Sequence, residues 1–149
     1  MKNILIGVDF APVTEELLRL GSEMARAFDG RLRLLHVAAP DPAFVGYEPG
    51  PQTVRDSRAH ELRTEHARLQ HMADRLSLKG IQTDALMVQG NTSDTLLAQA
   101  EEWAADVIIL GNRRHGFVRK AVIGSSSEGV IKNARCPVLL VPPPLQPDE

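Results

Sequence analysis

The chain has 149 residues, 43% hydrophobic and 24% charged, with a formal net charge of −2. That is the make-up of one globular domain, long enough to bury roughly two-thirds of its unfolded surface without staples. The near-neutral balance excludes a general attraction to nucleic acid or anionic membrane, so partners must be met at local sites.

The N-terminal run Ile4-Leu5-Ile6-Gly7-Val8 is cut short by Asp9. It is too brief for a signal peptide or a membrane span, and the expected location is the cytoplasm. It reads instead as a first strand, residues 4–8. Further apolar runs at 32–37, 85–88, 107–110 and 138–141 give four more strands. Their unbroken apolar character predicts burial on both faces, as in a parallel sheet layered between helices.

Helical periods separate the strands. Leu17, Leu20, Met24 and Phe28 mark the first helix, Leu62, Leu69, Met72 and Leu76 the second, and Leu96, Leu97, Ala100 and Trp103 the third. Asp29-Gly30 and Gly80 are exit signals, Asn91, Thr92 and Ser93 offer N-caps, and a fourth helix is predicted from Ser125 to Ala134. Four prolines and two glycines in residues 39–56 predict a long irregular, mobile excursion after the second strand. The domain is expected to end at residue 142, with a flexible C-terminal tail over residues 143–149. Strand–helix alternation of this kind predicts an α/β fold: an open, doubly wound, Rossmann-like parallel sheet of five strands in the order 3-2-1-4-5.

In such a sheet ligands bind beyond the carboxyl ends of the strands, where successive connections leave in opposite directions. Here that point lies between strands one and four. It nominates Asp9, His36, Val37 and Gly111. The stretch from Gly111 to Ser127 then runs from a strand end to a helix start and carries the parts of an anion site: Gly111, Gly124, Ser125, Ser126 and the basic residues Arg113, Arg114, Arg119 and Lys120. Spacing alone leaves open that Gly124-Ser125 merely turns and caps a helix beside a solvated basic loop. There is no Gly-Lys-Ser/Thr phosphate loop, and residues 7–12 are no GxGxxG.

The same segment resembles the signature of the universal stress protein family, Gly-x2-Gly-x9-Gly-Ser/Thr, with Gly111, Gly124 and Ser125 on its first, third and fourth fixed positions and Arg114 in place of the second glycine. The resemblance extends to Ile4-Leu5-Ile6-Gly7-Val8-Asp9, Leu34-Leu35-His36-Val37, Ala105 to Gly111 and Cys136 to Pro142, nearly the whole chain. It implies an ATP or related adenine-nucleotide site in which Asp9 and Val37 position adenine and ribose while Gly111, Gly124 and Ser125 hold phosphates. Val8, Leu110 and Ser126 stand beside them, Arg113 and Arg114 supply charge, and Mg²⁺ accompanies the nucleotide. It also implies a homodimer paired through Val138–Val141. A nucleotide-independent dimeric module and a slow nucleotide hydrolase are the alternative readings. One well-placed carboxylate, Asp9, without an evident nucleophile or base is a weak enzyme signature.

Other chemistry-bearing residues mean less. His60, His66 and His71 are spaced too unevenly for one metal-binding face. Asp106 reads as a structural strand start, the lone Cys136 as a small core residue, and His36 and His115 as histidines near the crevice.

Overall fold

A computed structural model describes residues 1–40, 52–112 and 124–145. The elements are β1 (Asn3–Gly7), α1 (Thr14–Phe28), β2 (Arg31–Ala38), α2 (Gln52–Leu78), β3 (Thr83–Gln89), α3 (Thr92–Glu102), β4 (Val107–Gly111), α4 (Ser125–Asn133) and β5 (Val138–Val141). All ladders are parallel and the strand order is β3-β2-β1-β4-β5, as the sequence predicts.

The apolar runs follow from two-sided burial. Alternate residues point to opposite faces, so Ile4, Ile6 and Val8 of the first run join Leu32, Leu34, Val107 and Ile109 against α1 and α2. Leu5, Leu35, Ile108 and Leu110 meet Leu96, Ala100 and Val130 on the face of α3 and α4. A strand so placed has no solvent side to spend on polar residues. The register of β2 on β3 carries its own lock: Arg33 lies directly opposite Asp84 and donates to both carboxylate oxygens, at 2.8 and 2.9 Å. Trp103 lies beneath the guanidinium groups of Arg33 and Arg31, at 4.7 and 5.1 Å.

The helices correct the sequence reading in two places. Phe28 is 45% exposed; the buried face of α1 consists of Thr14, Leu17, Leu18, Gly21, Ser22 and Ala25. Gly21 is required where the helix crosses β1, since a Cβ there would stand 2.5 Å from Ile6 Cδ1, and an apolar period built on large residues passes over it and over Ser22 and Ala25. The irregular excursion expected over 39–56 ends earlier, since α2 is already helical at Gln52. Residues 53–57 are exposed, so no apolar period announces that first turn. The remainder of that excursion, 41–51, lies outside the described residues, as do residues 146–149 of the tail. Caps match expectation more closely: Asn91 accepts from the Asp94 amide at 3.1 Å, and Gly80 turns the chain with φ +85°.

Asp106 ties the amino-terminal edge of the sheet together, accepting the backbone N–H groups of Asn3 and Lys2, each at 2.8 Å. Those two bonds, Asn3's the larger, hold its carboxyl below the usual range. A carboxyl lowered by folding contributes stability present above its unfolded pKa of about 3.9 and lost as pH falls through the folded value. Asp106→Asn is therefore expected to flatten the acid limb of the stability curve, read as urea midpoints between about pH 2 and 5. An acid limb identical to the parent's would show that these bonds are replaced by water at no loss. Among the described residues no helix is long and apolar enough to cross a membrane.

Candidate functional site

The chain leaves β1 toward β2 through α1, and after β3 it returns across the sheet to place β4 on the other side of β1. The strand ends part at this reversal and leave a crevice of about 390 Å³, within the size range of small-molecule sites. Its walls come from strand ends and helix starts. Val8 and Asp9 follow β1, Val37 lies near the end of β2, and Leu110 and Gly111 close β4. Opposite them stand Gly124, Ser125 and Ser126 at the start of α4.

The two sides differ chemically. Leu110 and Leu96 are buried, 6% and 3% exposed, and with half-buried Val37 they form an apolar slot on the α3 and α4 face, while the Val8 side chain turns to the other face of the sheet and borders the crevice only where β1 ends. The α4 side is polar. Gly124 is the N-cap of α4 and has no side chain with which to cap it, so among the described residues the first N–H groups of α4 and the hydroxyls of Ser125, Ser126 and Ser127 form a side suited to an anion. By contrast α3 has its own cap in Asn91. Asp9 sits at the junction, with Oδ1 accepting the Ala11 amide at 3.0 Å; this bond steers the carboxylate into the turn after β1.

The glycines at the two ends of the signature have different physical reasons. A Cβ on Gly111 would stand 2.5 Å from Val13 Cγ1 in the core, whereas a Cβ on Gly124 would meet none of the described residues within 4 Å. Packing dictates the first glycine, while the second borders open space.

Of the residues nominated from sequence, Val8, Asp9, Val37, Leu110, Gly111, Gly124, Ser125 and Ser126 are brought to one crevice. Arg113 and Arg114 lie outside the described residues, as do His115, Arg119 and Lys120. The crevice is also lined by Thr92 and Leu96 of α3 and by Ser127, which the sequence reading placed on helices or at the loop end without assigning them to the site. Their signal was positional, because a helix following an edge strand starts at the same end of the sheet as the crevice. Cys136 is half-buried in the second core, and burial first, then the Asp106 charge, pushes its thiol pKa up. Among the described residues no three His, Cys, Asp or Glu side chains are grouped to hold a metal ion.

Comparison with known proteins agrees with this architecture. The model of the universal stress protein family matches residues 1–142. A curated universal stress protein of Thermus aquaticus, named for the QAH/OAS sulfhydrylase 3′ region, is 33% identical over 141 residues, 94% of this chain and 98% of that protein. Among solved structures, that of the hypothetical protein MJ0577 superposes with TM-score 0.80 at 21% identity, covering 97% of this chain and 98% of its own. A universal stress protein of Archaeoglobus fulgidus in complex with dAMP superposes with TM-score 0.65 at 18% identity, covering 94% and 97%. At such identities the structural likeness is one of fold.

Proposed function

The chain belongs to the universal stress protein family, and from that premise we propose that it is a cytoplasmic binding module whose crevice takes an adenine nucleotide. The observation that carries the proposal is the pairing, across one crevice, of an apolar slot at Val37, Leu96 and Leu110 with the polar start of α4 at Gly124, Ser125 and Ser126. A planar base suits the slot, and phosphate oxygens suit unpaired backbone N–H groups and hydroxyls. Asp9, between the two, is placed to accept ribose hydroxyls. The solved relative in complex with dAMP supports an adenine nucleotide as the ligand class.

ATP with Mg²⁺ is the specific form proposed. The cation would be held largely by phosphate oxygens and water, with Asp9 the carboxylate among the described lining residues. Arg113 and Arg114 come soon after Gly111 in sequence and are proposed to supply charge to the phosphates.

A ligand that binds the native state raises the unfolding midpoint by mass action, adding about 2.7 kcal/mol at 100 times its Kd. Thermal unfolding with AMP, ATP and ATP with Mg²⁺ is therefore expected to give dose-dependent rises, lost in a Ser125→Ala/Ser126→Ala variant. No rise with any of the three at millimolar concentration would defeat the nucleotide reading.

We also propose that two copies pair through Val138–Val141. The supporting observation is that β5 ends the described sheet with Leu139 36% exposed, and Ile131 of α4 is 42% exposed. Sedimentation is expected to show a dimer that Leu139→Lys converts to monomer; a parent chain that sediments as monomer would refute the pairing.

A further inference from the structure

Among the side chains that the proposed ligand would not touch, His36 has the most specific surroundings. It borders the crevice, yet strand alternation sends its ring to the opposite face of the sheet, with Leu32 and Leu34 and beneath α2. There the ring is 11% exposed and makes two polar contacts. Nδ1 lies 2.7 Å from the Val8 carbonyl oxygen and Nε2 lies 3.2 Å from a carboxylate oxygen of Glu65 on α2.

A carbonyl oxygen only accepts, so Nδ1 must carry a proton and donate. In the charged ring Nε2 carries a proton as well and donates a hydrogen bond to Glu65; in the neutral ring with its proton on Nδ1 that bond to the carboxylate is absent while the bond to Val8 remains. The hold on Val8 is therefore independent of the ring's charge.

That hold bears on the turn beyond Val8. The Val8 amide donates to the Leu35 carbonyl at 2.8 Å, so both polar groups of the Val8 backbone are fixed by β2. Two residues later the chain must reverse, and Phe10 adopts φ +60°, a left-handed conformation that costs a non-glycine residue about 1–3 kcal/mol. The Phe10 ring is held in that turn by the imidazole of His36, centroids 4.7 Å apart, and by the Arg68 guanidinium at 4.4 Å on the Phe10 ring. Asp9 lies between these two anchored residues, its carboxylate bound to the Ala11 amide.

We infer that His36 is a positioning residue of the crevice: through Nδ1 it fixes the Val8 carbonyl, and through the face of its ring it fixes Phe10, so that the turn between them presents Asp9 to the ligand. The inference rests on the reading of the crevice as a nucleotide site, but the turn itself can be examined without ligand.

Two amide substitutions separate the contacts. The Asn side-chain nitrogen stands close to where Nδ1 is, and the Gln nitrogen close to where Nε2 is, so His36→Asn keeps the donor to Val8 and His36→Gln keeps only the contact toward Glu65. Two quantities are measured for each variant: hydrogen exchange of the Ala11 amide without ligand, relative to that variant's global stability, and AMP affinity by calorimetry. Both variants lose the ring against Phe10 and only His36→Gln also loses the donor to Val8. The expected result is a modest change in exchange and affinity for His36→Asn, with faster Ala11 exchange than in that variant and a further loss of about 5- to 100-fold in AMP binding for His36→Gln, the range that an unsatisfied buried carbonyl implies. Equal exchange in the two variants would overturn the positioning role. If the parent chain bound no AMP, the nucleotide reading would fall, and the exchange comparison alone would still decide the role of His36.

Discussion

Gly111→Ala is expected to destabilise the chain by about 1–3 kcal/mol, the usual cost of forcing an extra carbon into a filled core. For a domain of this size that is roughly 3–10 °C of melting midpoint. The obstacle is Val13, which is 3% exposed and whose Cγ1 lies 2.5 Å from where the new Cβ would stand. A β-branched side chain has little rotamer freedom with which to yield. Val13 also starts α1, so its displacement would spread to the turn carrying Asp9, and nucleotide affinity should fall together with stability. Urea unfolding of the single variant measures the effect. An unchanged midpoint would show that Val13 moves aside freely and that the reason for this glycine lies in the ligand rather than in packing.

Gly124→Val is expected to do the opposite. The backbone at Gly124, φ −65° and ψ 156°, is extended and open to any residue, and a Cβ there meets no atom of the described residues within 4 Å. Stability should stay close to the parent's. The added methyl groups would instead occupy the mouth of the crevice in front of the first N–H groups of α4, where the phosphates are proposed to sit. Each 1.4 kcal/mol of lost contact is about tenfold in affinity, and a loss of about a hundredfold in AMP or ATP binding is expected. Calorimetric titration of a variant with a parental melting curve measures it. Parental affinity in that variant would move the phosphates away from α4.

The contrast between these glycines marks how far the sequence could be read. The motif places both near a ligand, but which of them the fold itself requires depends on Val13, nearly a hundred residues away in the chain. The inner strands β1, β2 and β4 were legible because burial on two faces leaves an apolar run, and the edge strands β3 and β5 carry such a run although only partly buried; strand starts extend one or two residues further, to Asn3, Arg31 and Thr83, since backbone pairing does not need an apolar side chain. The long α2 was legible through Leu62, Leu69, Met72 and Leu76, of which Leu69 and Leu76 are buried against the sheet beside an unannounced Ala73. In α1 the small residues Gly21, Ser22 and Ala25 carry a contact that an apolar period assigns to larger neighbours. For the crevice, topology located the strand ends correctly, but Glu65 beside His36 and Arg68 beside Phe10 come from a helix whose approach no local pattern encodes.

The most direct test of the account is an amide chemical-shift titration of the uniformly ¹⁵N-labelled chain with AMP. The account predicts saturable shifts concentrated at Val8, Asp9, Val37, Gly111 and Ser125 to Ser127, with α1 and the outer face of α2 unmoved. Shifts confined to the charged groove between α1 and α2, around Arg19, Arg26 and Arg75, or no saturable shifts at all, would contradict it.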